Sequence, residues 1–236
     1  MAQSHSLALS ERSRLVKLMS ELAQLNSSAY DYNLAERLGH FMGVSGSMNL
    51  ALGLRALPVT AFDETSESID TVRKSVLDAR ERMIMRVVES FSSSDSQNSV
   101  PSLTNGVREE ALRTFSPYQR YYTSQQIEMG VAIKALREQL REDMAGFSLE
   151  MYRLASLDRV LESNLEAHAR KQFNNVTKGL EKYFKTEISR QTVDFDFDLD
   201  QFLSIFYQKM RELLLAELDA RMQPIFGLLE ALNEYE

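Results

Sequence analysis

Cysteine is absent from this chain of 236 residues. Its absence excludes disulfide bonds, thiol nucleophiles, thiolate metal sites and iron–sulfur clusters held by the chain's own thiolates. Glycine and proline are also scarce, with 9 and 4 residues, so few positions favour tight turns. Leu, Ala, Glu, Arg and Met are frequent instead, and these side chains lose little rotamer freedom in a helix. The composition therefore predicts an all-α fold.

Long uncharged apolar runs are missing as well. No stretch approaches the roughly 18 apolar residues that are needed to span a bilayer, and the longest apolar run, near 48–57, contains Arg55. The first residues lack the positive start, apolar core and small-residue cleavage site of a secretory signal. We therefore expect no transmembrane segment and a cytoplasmic location.

Basic residues are fewer than acidic ones: the chain has 27 Lys and Arg residues and 34 Asp and Glu residues, which gives a net charge of −7. A chain with this balance repels polyanions unless its basic residues are segregated. The basic residues of the segment 148–185 are interspersed with acidic ones, which is typical of a solvated helix face. The charge pattern therefore predicts no nucleic-acid partner.

Apolar residues recur at spacings of three and four, which predicts about four long helices packed as a bundle, most simply antiparallel. The first of these helices covers 63–91, the second runs from Pro117 to about Ala145, the third starts near Ser148, and the fourth starts at Gln201. We expect Asp198 or Asp200 to cap the fourth helix and Pro224 to kink or end it. The seams predicted to be buried are Ile69, Val72, Val76, Ala79, Met83 and Val87 in the first helix and Phe202, Ile205, Phe206, Met210, Leu213 and Leu214 in the fourth.

Changes in composition along the chain suggest its domain organisation. Residues 1–62 are predicted to form a small N-terminal cap of short helices, and 63–91 the first long bundle helix. The Ser-rich segment 92–106 has almost no core-forming residues and reads as a flexible linker. Residues 107–236 are predicted to form the C-terminal helical bundle.

The motifs of common enzyme and metal sites are not matched. Neither GxGxxG nor GxxxxGK[ST] occurs, and Gly43-Val44-Ser45-Gly46 has its second glycine one position too early for a nucleophile elbow. A di-iron bundle needs Glu-x-x-His pairs, but Glu36 and His40 are four residues apart and Glu166 and His168 are two apart. We therefore predict a protein that is not an enzyme and has no cofactor and no metal site.

The segment Leu34–Leu57 has the pattern of two short helices and suggests a helix-turn-helix unit. Its second helix offers only Asn49 and Arg55 for contacts with bases or phosphates, which is few for a recognition helix. A nucleic-acid-associated regulator that uses 34–57 is therefore the alternative function hypothesis.

Two groups of residues are candidates for an interaction surface. The first group combines aromatic rings with guanidinium groups, which are over-represented at interface hot spots; it consists of Arg113, Phe115, Tyr118, Arg120, Tyr121 and Tyr122. The other interpretation of this group is that its tyrosines pack the end of the bundle. The second group is Glu217, Asp219 and Arg221, in which Glu217 and Arg221 have the i, i+4 spacing of a helical ion pair.

Two stretches, FSPYQRYYTSQQIEMGVAIKALREQLRE (115–142) and LLLAELDARMQPIFGLLEAL (213–232), resemble domain-of-unknown-function family 3348 of Gram-negative bacteria, and the likeness spans nearly the whole chain. The resemblance transfers no catalytic residue. Because members of the family accompany envelope proteins, it implies an accessory role beside a cell-envelope complex.

The resulting hypothesis is a non-enzymatic helical interaction or scaffold protein that docks a protein partner. A component of an envelope complex is the partner that the resemblance implies. Self-association is a further expectation, because a helix with apolar residues on two faces, such as 202–215, could pair across a two-fold axis.

Overall fold

The computed structural model describes residues 14, 15, 17–19, 21, 22, 68–92, 99–102, 109–191 and 198–235. Its helices, numbered here in chain order, are α1 (Ile69–Ser92), α2 (Glu109–Leu112), α3 (Ser116–Ala145), α4 (Leu149–Gln191) and α5 (Leu199–Tyr235). The described residues between 14 and 22 are helical too, and the described ranges contain no strand. Four of the five helices are long, so the predicted all-α bundle of about four long helices is confirmed.

The chain divides into two compact units. Unit 1 consists of residues 1–27, 80–133 and 173–223, and unit 2 consists of 28–79, 134–172 and 224–236. Each of the four long helices contributes a segment to both units.

The predicted division at 62, 91 and 106 stays a prediction. Apart from the few helical residues between 14 and 22, the N-terminal cap 1–62 lies outside the described residues. The same is true of the segment 34–57 on which the nucleic-acid hypothesis depends.

The seam of α1 matches its prediction closely. Val72, Val76, Met83 and Val87 are buried, and the two remaining seam positions, Ile69 and Ala79, are half-buried. Ser68 caps the helix, because its hydroxyl oxygen accepts a hydrogen bond from the Thr71 N–H at 3.2 Å.

An aromatic cluster forms part of the core of unit 1. The Phe184 ring on α4 lies 5.3 Å from the Tyr118 ring on α3 and 4.9 Å from the Phe206 ring on α5, measured between centroids. The Tyr118 and Phe206 rings are 5.2 Å apart and nearly perpendicular. Edge-to-face pairs of this kind add about 0.5–1.5 kcal/mol each beyond their buried area. Three helices of unit 1 are thus joined by one set of rings.

The part of the unit 2 core that the structure describes is aliphatic. Its buried apolar side chains are Val72 and Val76 of α1, Leu140 and Met144 of α3, Met151 and Ala155 of α4, and Ile225, Leu228, Leu229 and Leu232 of α5. These residues recur at spacings of three and four on α5, as expected for one buried helix face.

The N-terminus of α5 is capped by Asp198, one of the two predicted caps. Its Oδ1 accepts hydrogen bonds from the N–H groups of Asp200 at 3.0 Å and Gln201 at 3.2 Å. Because these N–H groups have no partner within the helix, the cap satisfies two donors that would otherwise be orphaned.

Two predictions about α5 need correction. Of the two predicted effects of Pro224, a kink or an end of the helix, the end is wrong, because the helix continues to Tyr235; Met222 and Ile225 beside the proline are fully buried, and this burial offsets the hydrogen bond that proline cannot make. Ile205 was predicted to be buried and is 47% exposed, whereas Leu203 is buried.

Four residues of the Ser-rich segment 92–106, namely 99–102, are described beyond the end of α1, and they are held in place. Val100 is buried, and its N–H donates to the Ser90 carbonyl oxygen at 2.9 Å. The Tyr207 hydroxyl donates to the Pro101 carbonyl oxygen at 2.6 Å. Residues 93–98 and 103–108 lie outside the described ranges, so linker flexibility there stays a prediction.

No helix in the described part of the chain is both long enough and apolar enough to span a bilayer.

Candidate functional site

Glu217 is a carboxylate placed inside the core of unit 1. It lies four residues after Leu213 and three after Leu214, both buried, so the helical repeat turns it to the same face of α5. Its exposed fraction is 0%. A charged group in this position must be matched by hydrogen bonds and opposite charge, because an unpaired buried charge costs several kcal/mol.

The partners of Glu217 come from its own helix and from α3. Arg221 Nε and Nη2 donate to Glu217 Oε1 at 2.9 and 2.6 Å. Gln126 Nε2 donates to the carboxylate at 2.9 and 3.0 Å. The Tyr122 hydroxyl donates to Oε2 at 3.3 Å. We call the set Tyr122, Gln126, Glu217 and Arg221 the Glu217 cluster.

The Glu217 cluster also reaches α4. Gln126 Nε2 donates to the backbone oxygen of Phe173 at 3.2 Å, and the Thr177 hydroxyl donates to Gln126 Oε1 at 3.2 Å. The Arg221 guanidinium lies over the Phe173 ring, 3.9 Å from its centroid, where the ring quadrupole attracts a cation. A single amide side chain, Gln126, thus joins α3, α4 and α5 within unit 1.

Burial dominates the protonation of the Glu217 cluster. It raises the pKa of Glu217 above its ordinary value, against the lowering effects of Arg221, Gln126 and Tyr122. Burial also raises the pKa of Tyr122 well above its ordinary value, and the neighbouring Glu217 adds to the rise. Because the carboxylate is fully enclosed and accepts hydrogen bonds from three side chains, the cluster is suited to holding the helices in register.

The aromatic members of the first predicted interaction group are buried. Tyr118 and Tyr122 are fully buried, and Phe115 and Tyr121 are 6% exposed. The hydroxyl of Tyr118 donates to the Leu112 carbonyl oxygen at 3.1 Å. This placement corrects the view of these four residues as a surface cluster and supports the interpretation that they pack the bundle, because a ring enclosed by other helices has no face left for a partner.

A hydroxyl pair connects two helices beside this group. Tyr121 Oη and Ser90 Oγ are 2.6 Å apart, and both are buried. Burial raises the pKa of Tyr121, so the hydroxyl stays protonated at neutral pH. The pair links α3 to α1 in unit 1.

The two arginines of the first group are exposed. Arg120 Nη2 donates to the Ser116 hydroxyl at 3.5 Å, and Arg113 lies just after α2. An interaction role for Arg113 and Arg120 stays a prediction.

The second predicted group is divided between two contacts. Glu217 and Arg221 form the expected i, i+4 ion pair at 2.6 Å. Asp219 instead faces α1, where its Oδ1 accepts a hydrogen bond from Arg80 Nη2 at 2.7 Å.

Unit 2 contains a second set of paired charges, buried at Arg141 and Asp158, which we call the Arg141 network: Arg137, Glu138, Arg141, Asp158, Arg159 and Glu162. Arg141 is 2% exposed, and its Nη2 and Nη1 lie 2.7 Å from Asp158 Oδ2 and Glu162 Oε2. Arg137 Nε donates to Asp158 Oδ2 at 2.8 Å. Arg137 and Arg141 on α3 therefore form ion pairs with Asp158 and Glu162 on α4.

The rim of the Arg141 network extends to the surface. Glu138 accepts hydrogen bonds from Arg159 and, at 3.0 Å, from Arg141. The hydrogen bond from Arg159 is the main reason that the pKa of Glu138 is lowered. Burial alone would lower the pKa of Arg141, but its bonds to Asp158, Glu138 and Glu162 raise it. Three positive and three negative groups thus balance one another across the α3–α4 pair.

Sequence reasoning missed Gln126, Arg141 and Asp158, although a signal exists for Gln126 and Asp158. Gln126 continues the seam that contains Tyr122 and Met129, at spacings of four and three. Asp158 follows the buried Ala155 by three residues. A polar residue at a seam position indicates a buried polar contact, but it does not identify the residue that makes this contact.

The described ranges contain no group of three or more His, Cys, Asp or Glu side chains that could hold a metal ion. His168 lies in α4, half-buried, with its Nε2 3.1 Å from Gln172 Nε2. His5 and His40 lie outside the described residues.

Replacement of Glu217 by Ala should lower the free energy of unfolding by about 3–5 kcal/mol, because Arg221, Gln126 and Tyr122 lose their common acceptor. Glu217→Gln, which keeps the shape and one acceptor oxygen, should cost clearly less. Urea unfolding followed by circular dichroism measures both. The control is Glu230→Ala on the exposed face of α5, which should change stability by no more than about 0.5 kcal/mol; equal losses for the three variants would contradict the role of the cluster.

The stability of the protein should depend on pH through Glu217. Its pKa is raised in the folded protein, so the stabilisation from the protonated carboxyl is fully present below the ordinary pKa of 4.5 and is lost as the pH rises through the folded value. The difference in unfolding free energy, wild type minus Glu217→Gln, should therefore fall as the pH is raised from 4.5. Urea titrations of both proteins at several pH values measure it, and a difference that grows with pH would refute the expected direction.

The contact between Arg141 and Asp158 should show strong coupling in a double-mutant cycle. We expect about 2 kcal/mol from Arg141→Gln and Asp158→Asn, because both groups are buried and share hydrogen bonds. The matched control is the exposed pair of Arg170 and Glu166, 2.8 Å apart on α4, which should give no more than about 0.5 kcal/mol. Similar coupling energies in the two cycles would show that burial does not strengthen the interaction between Arg141 and Asp158.

A family model described as protein of unknown function (DUF3348) matches residues 1–234, nearly the full length of 236 residues. No curated protein and no solved structure matches the chain. The resemblance carried by the stretches 115–142 and 213–232 is therefore confirmed over residues 1–234, and the chain belongs to the DUF3348 family of proteins of unknown function.

Proposed function

We propose that this protein is a non-enzymatic helical scaffold that docks protein partners in the cytoplasm, and that its partner is a component of a cell-envelope complex. The observation that carries the proposal is the exposure of large apolar side chains on long, well-formed helices. In unit 1 these are Met85 on α1, Ile127 and Val131 on α3, and Ile205 on α5, each between 47% and 67% exposed. Exposed apolar groups on rigid elements are what helix-in-groove and surface docking require.

The state of the buried polar groups supports a non-enzymatic role. The carboxylate of Glu217 is enclosed and hydrogen-bonded by its own neighbours. The charges of the Arg141 network likewise neutralise one another. A general acid or base must reach the proton that it transfers, and these groups instead contact only the protein's own helices. The polar residues thus account for stability, which leaves the surface for binding.

The assignment of the partner to the cell envelope rests on the family resemblance alone. In this proposal the protein recognises a protein surface that carries its own apolar anchors, since the exposed side chains of Met85 and Ile205 offer no charge for a salt bridge. Their separation on two different helices, α1 and α5, makes more than one docking position available to a scaffold.

A photo-crosslinking amino acid at position 85 or 205, in the native host at native expression, tests the proposal. We expect a covalent adduct with a different protein, identified by mass spectrometry as an envelope component, from at least one of these positions. Controls at Lys178 and Lys185, exposed positions on α4, should give no such adduct. Adducts with the protein's own chain alone, or the same adducts from the control positions, would overturn the proposal.

A further inference from the structure

The Glu217 cluster has one charged member at its edge. Tyr122 and Glu217 are fully buried, whereas the Arg221 side chain is 20% exposed. A Cβ at Gly130 would approach Arg221 Nη1 at 3.5 Å and, outside its own helix, no other atom of the described residues within 4 Å. The glycine thus leaves that side of the guanidinium uncovered. Arg221 therefore lies between the enclosed carboxyl group and the solvent.

Two interactions hold Arg221 in this position. Its Nε and Nη2 donate to Glu217 Oε1 at 2.9 and 2.6 Å, and its guanidinium lies 3.9 Å from the centroid of the Phe173 ring. Hydrogen bonds to a charged acceptor are roughly twice as strong as those to a neutral one, so the charge of Glu217 supplies most of the attraction. A cation–π contact at a partly exposed site is no stronger than the entropy cost of fixing a long arginine side chain. The ring by itself therefore does not hold Arg221 in place.

The carboxyl group of Glu217 can take up a proton and still keep hydrogen bonds. A protonated carboxyl group needs an acceptor for its own O–H. Tyr122 Oη lies 3.3 Å from Glu217 Oε2, and a hydroxyl group accepts as well as donates, so the direction of this hydrogen bond can reverse. Gln126 Nε2 continues to donate to Oε1 at 3.0 Å. The neutral acid thus stays bonded to α3 and needs no positive partner.

We propose that the Glu217 cluster is a pH-sensitive switch. When Glu217 binds a proton, its hydrogen bond with Tyr122 reverses and the charge that attracts Arg221 is removed. The Arg221 side chain then turns away from Phe173 into solvent, and loss of the proton returns it to the carboxylate. The acid form of unit 1 presents a solvated guanidinium and an uncovered phenylalanine ring. This change within unit 1 goes beyond the proposed function, because it does not depend on a docked partner.

The surroundings of Glu217 place the switch above the ordinary pKa of a glutamate. In the described part of the chain, α4 contacts the cluster through Phe173 and Thr177, which do not titrate. The charged or titratable groups that the other helices bring to this region are Tyr122 of α3, Arg221 of α5 and the ion pair of Arg80 on α1 with Asp219 on α5.

Burial is the largest influence on the proton of Glu217. It raises the pKa of the carboxyl group above 4.5, against the lowering effects of Arg221, Gln126 and Tyr122. Burial also raises the pKa of Tyr122 well above its ordinary value, so the hydroxyl group keeps its proton while Glu217 titrates. One proton on one group therefore sets the state of the cluster.

NMR spectroscopy of the full chain from about pH 8 to about pH 4 tests the switch. We expect the Glu217 carboxyl carbon and the Arg221 Nε–H to follow one titration curve, with its midpoint above the ordinary pKa of 4.5. Exchange of the Arg221 Nε–H with water, relative to the Arg141 Nε–H in the same sample, should rise about tenfold or more on acidification.

Arg141 is the matched reference because it is also a guanidinium bonded to a buried carboxylate. Its Nε donates to Asp158 Oδ2 at 2.8 Å, and it forms further ion pairs with Glu138 and Glu162. Protonation of one of these acids leaves other acceptors in place. The ratio of the two exchange rates removes the direct effect of pH on exchange.

Glu217→Gln separates the switch from a general effect of acid. The amide takes up no proton in this range, so the titration curve of the Arg221 Nε–H should disappear and its relative exchange should be fast at every pH. The control is Glu230→Gln on the exposed face of α5, which should keep the wild-type curve. Circular dichroism establishes that both variants are folded, and the wild-type titration is decisive without them.

A Glu217 carboxyl group that stays ionised down to the ordinary pKa of 4.5 would overturn the proposal. An Arg221 Nε–H whose relative exchange does not change while the carboxyl group titrates would overturn it as well. The same holds if a folded Glu217→Gln variant keeps the pH dependence of Arg221.

Discussion

The burial of charged side chains within the helical units is the constraint on which the arrangement of the long helices depends. In unit 1 the fully buried Glu217 needs donors, and it obtains them from α3 as well as from its own helix. In unit 2 the buried Arg141 needs acceptors, and it obtains them from α4. An apolar seam tolerates sliding by one turn at modest cost, but a buried charge that loses its partner costs several kcal/mol. The polar contacts therefore select one register among several that apolar packing would allow.

This constraint also separates the polar interior from the surface. The groups most able to perform acid–base chemistry, such as Glu217, are enclosed and occupied by their neighbours. Among the described residues a few large apolar side chains remain exposed beside the charged surface residues, and Ile127 and Val131 have the largest exposed fractions of these. The proposal of partner docking rests on these exposed apolar side chains.

The aromatic residues illustrate how composition can mislead about location. Tyr, Phe and Arg close together in sequence are typical of interface hot spots, but in α3 the helical repeat sends Tyr118 and Tyr122 inward and Arg120 outward. The tyrosines then contribute their rings to the core and their hydroxyl groups to buried hydrogen bonds, as Tyr118 does with Leu112. Residues that are close together in the sequence therefore separate in the helix, with the tyrosines in the core and Arg120 on the surface.

The sequence by itself determined the features that depend on neighbours along the chain. Spacings of three and four predicted the long helices and most of their buried seams, the Asp198 cap of α5, and the ion pair of Glu217 with Arg221, because each involves residues within one or two helical turns. Only the tertiary structure decided that Gln126 would meet Glu217, 91 residues away, that Arg141 would meet Asp158, and that α5 would continue past Pro224. These outcomes depend on which helix faces come together. Packing and desolvation energies are set by neighbours in space, and the sequence pattern of a single helix does not identify those neighbours.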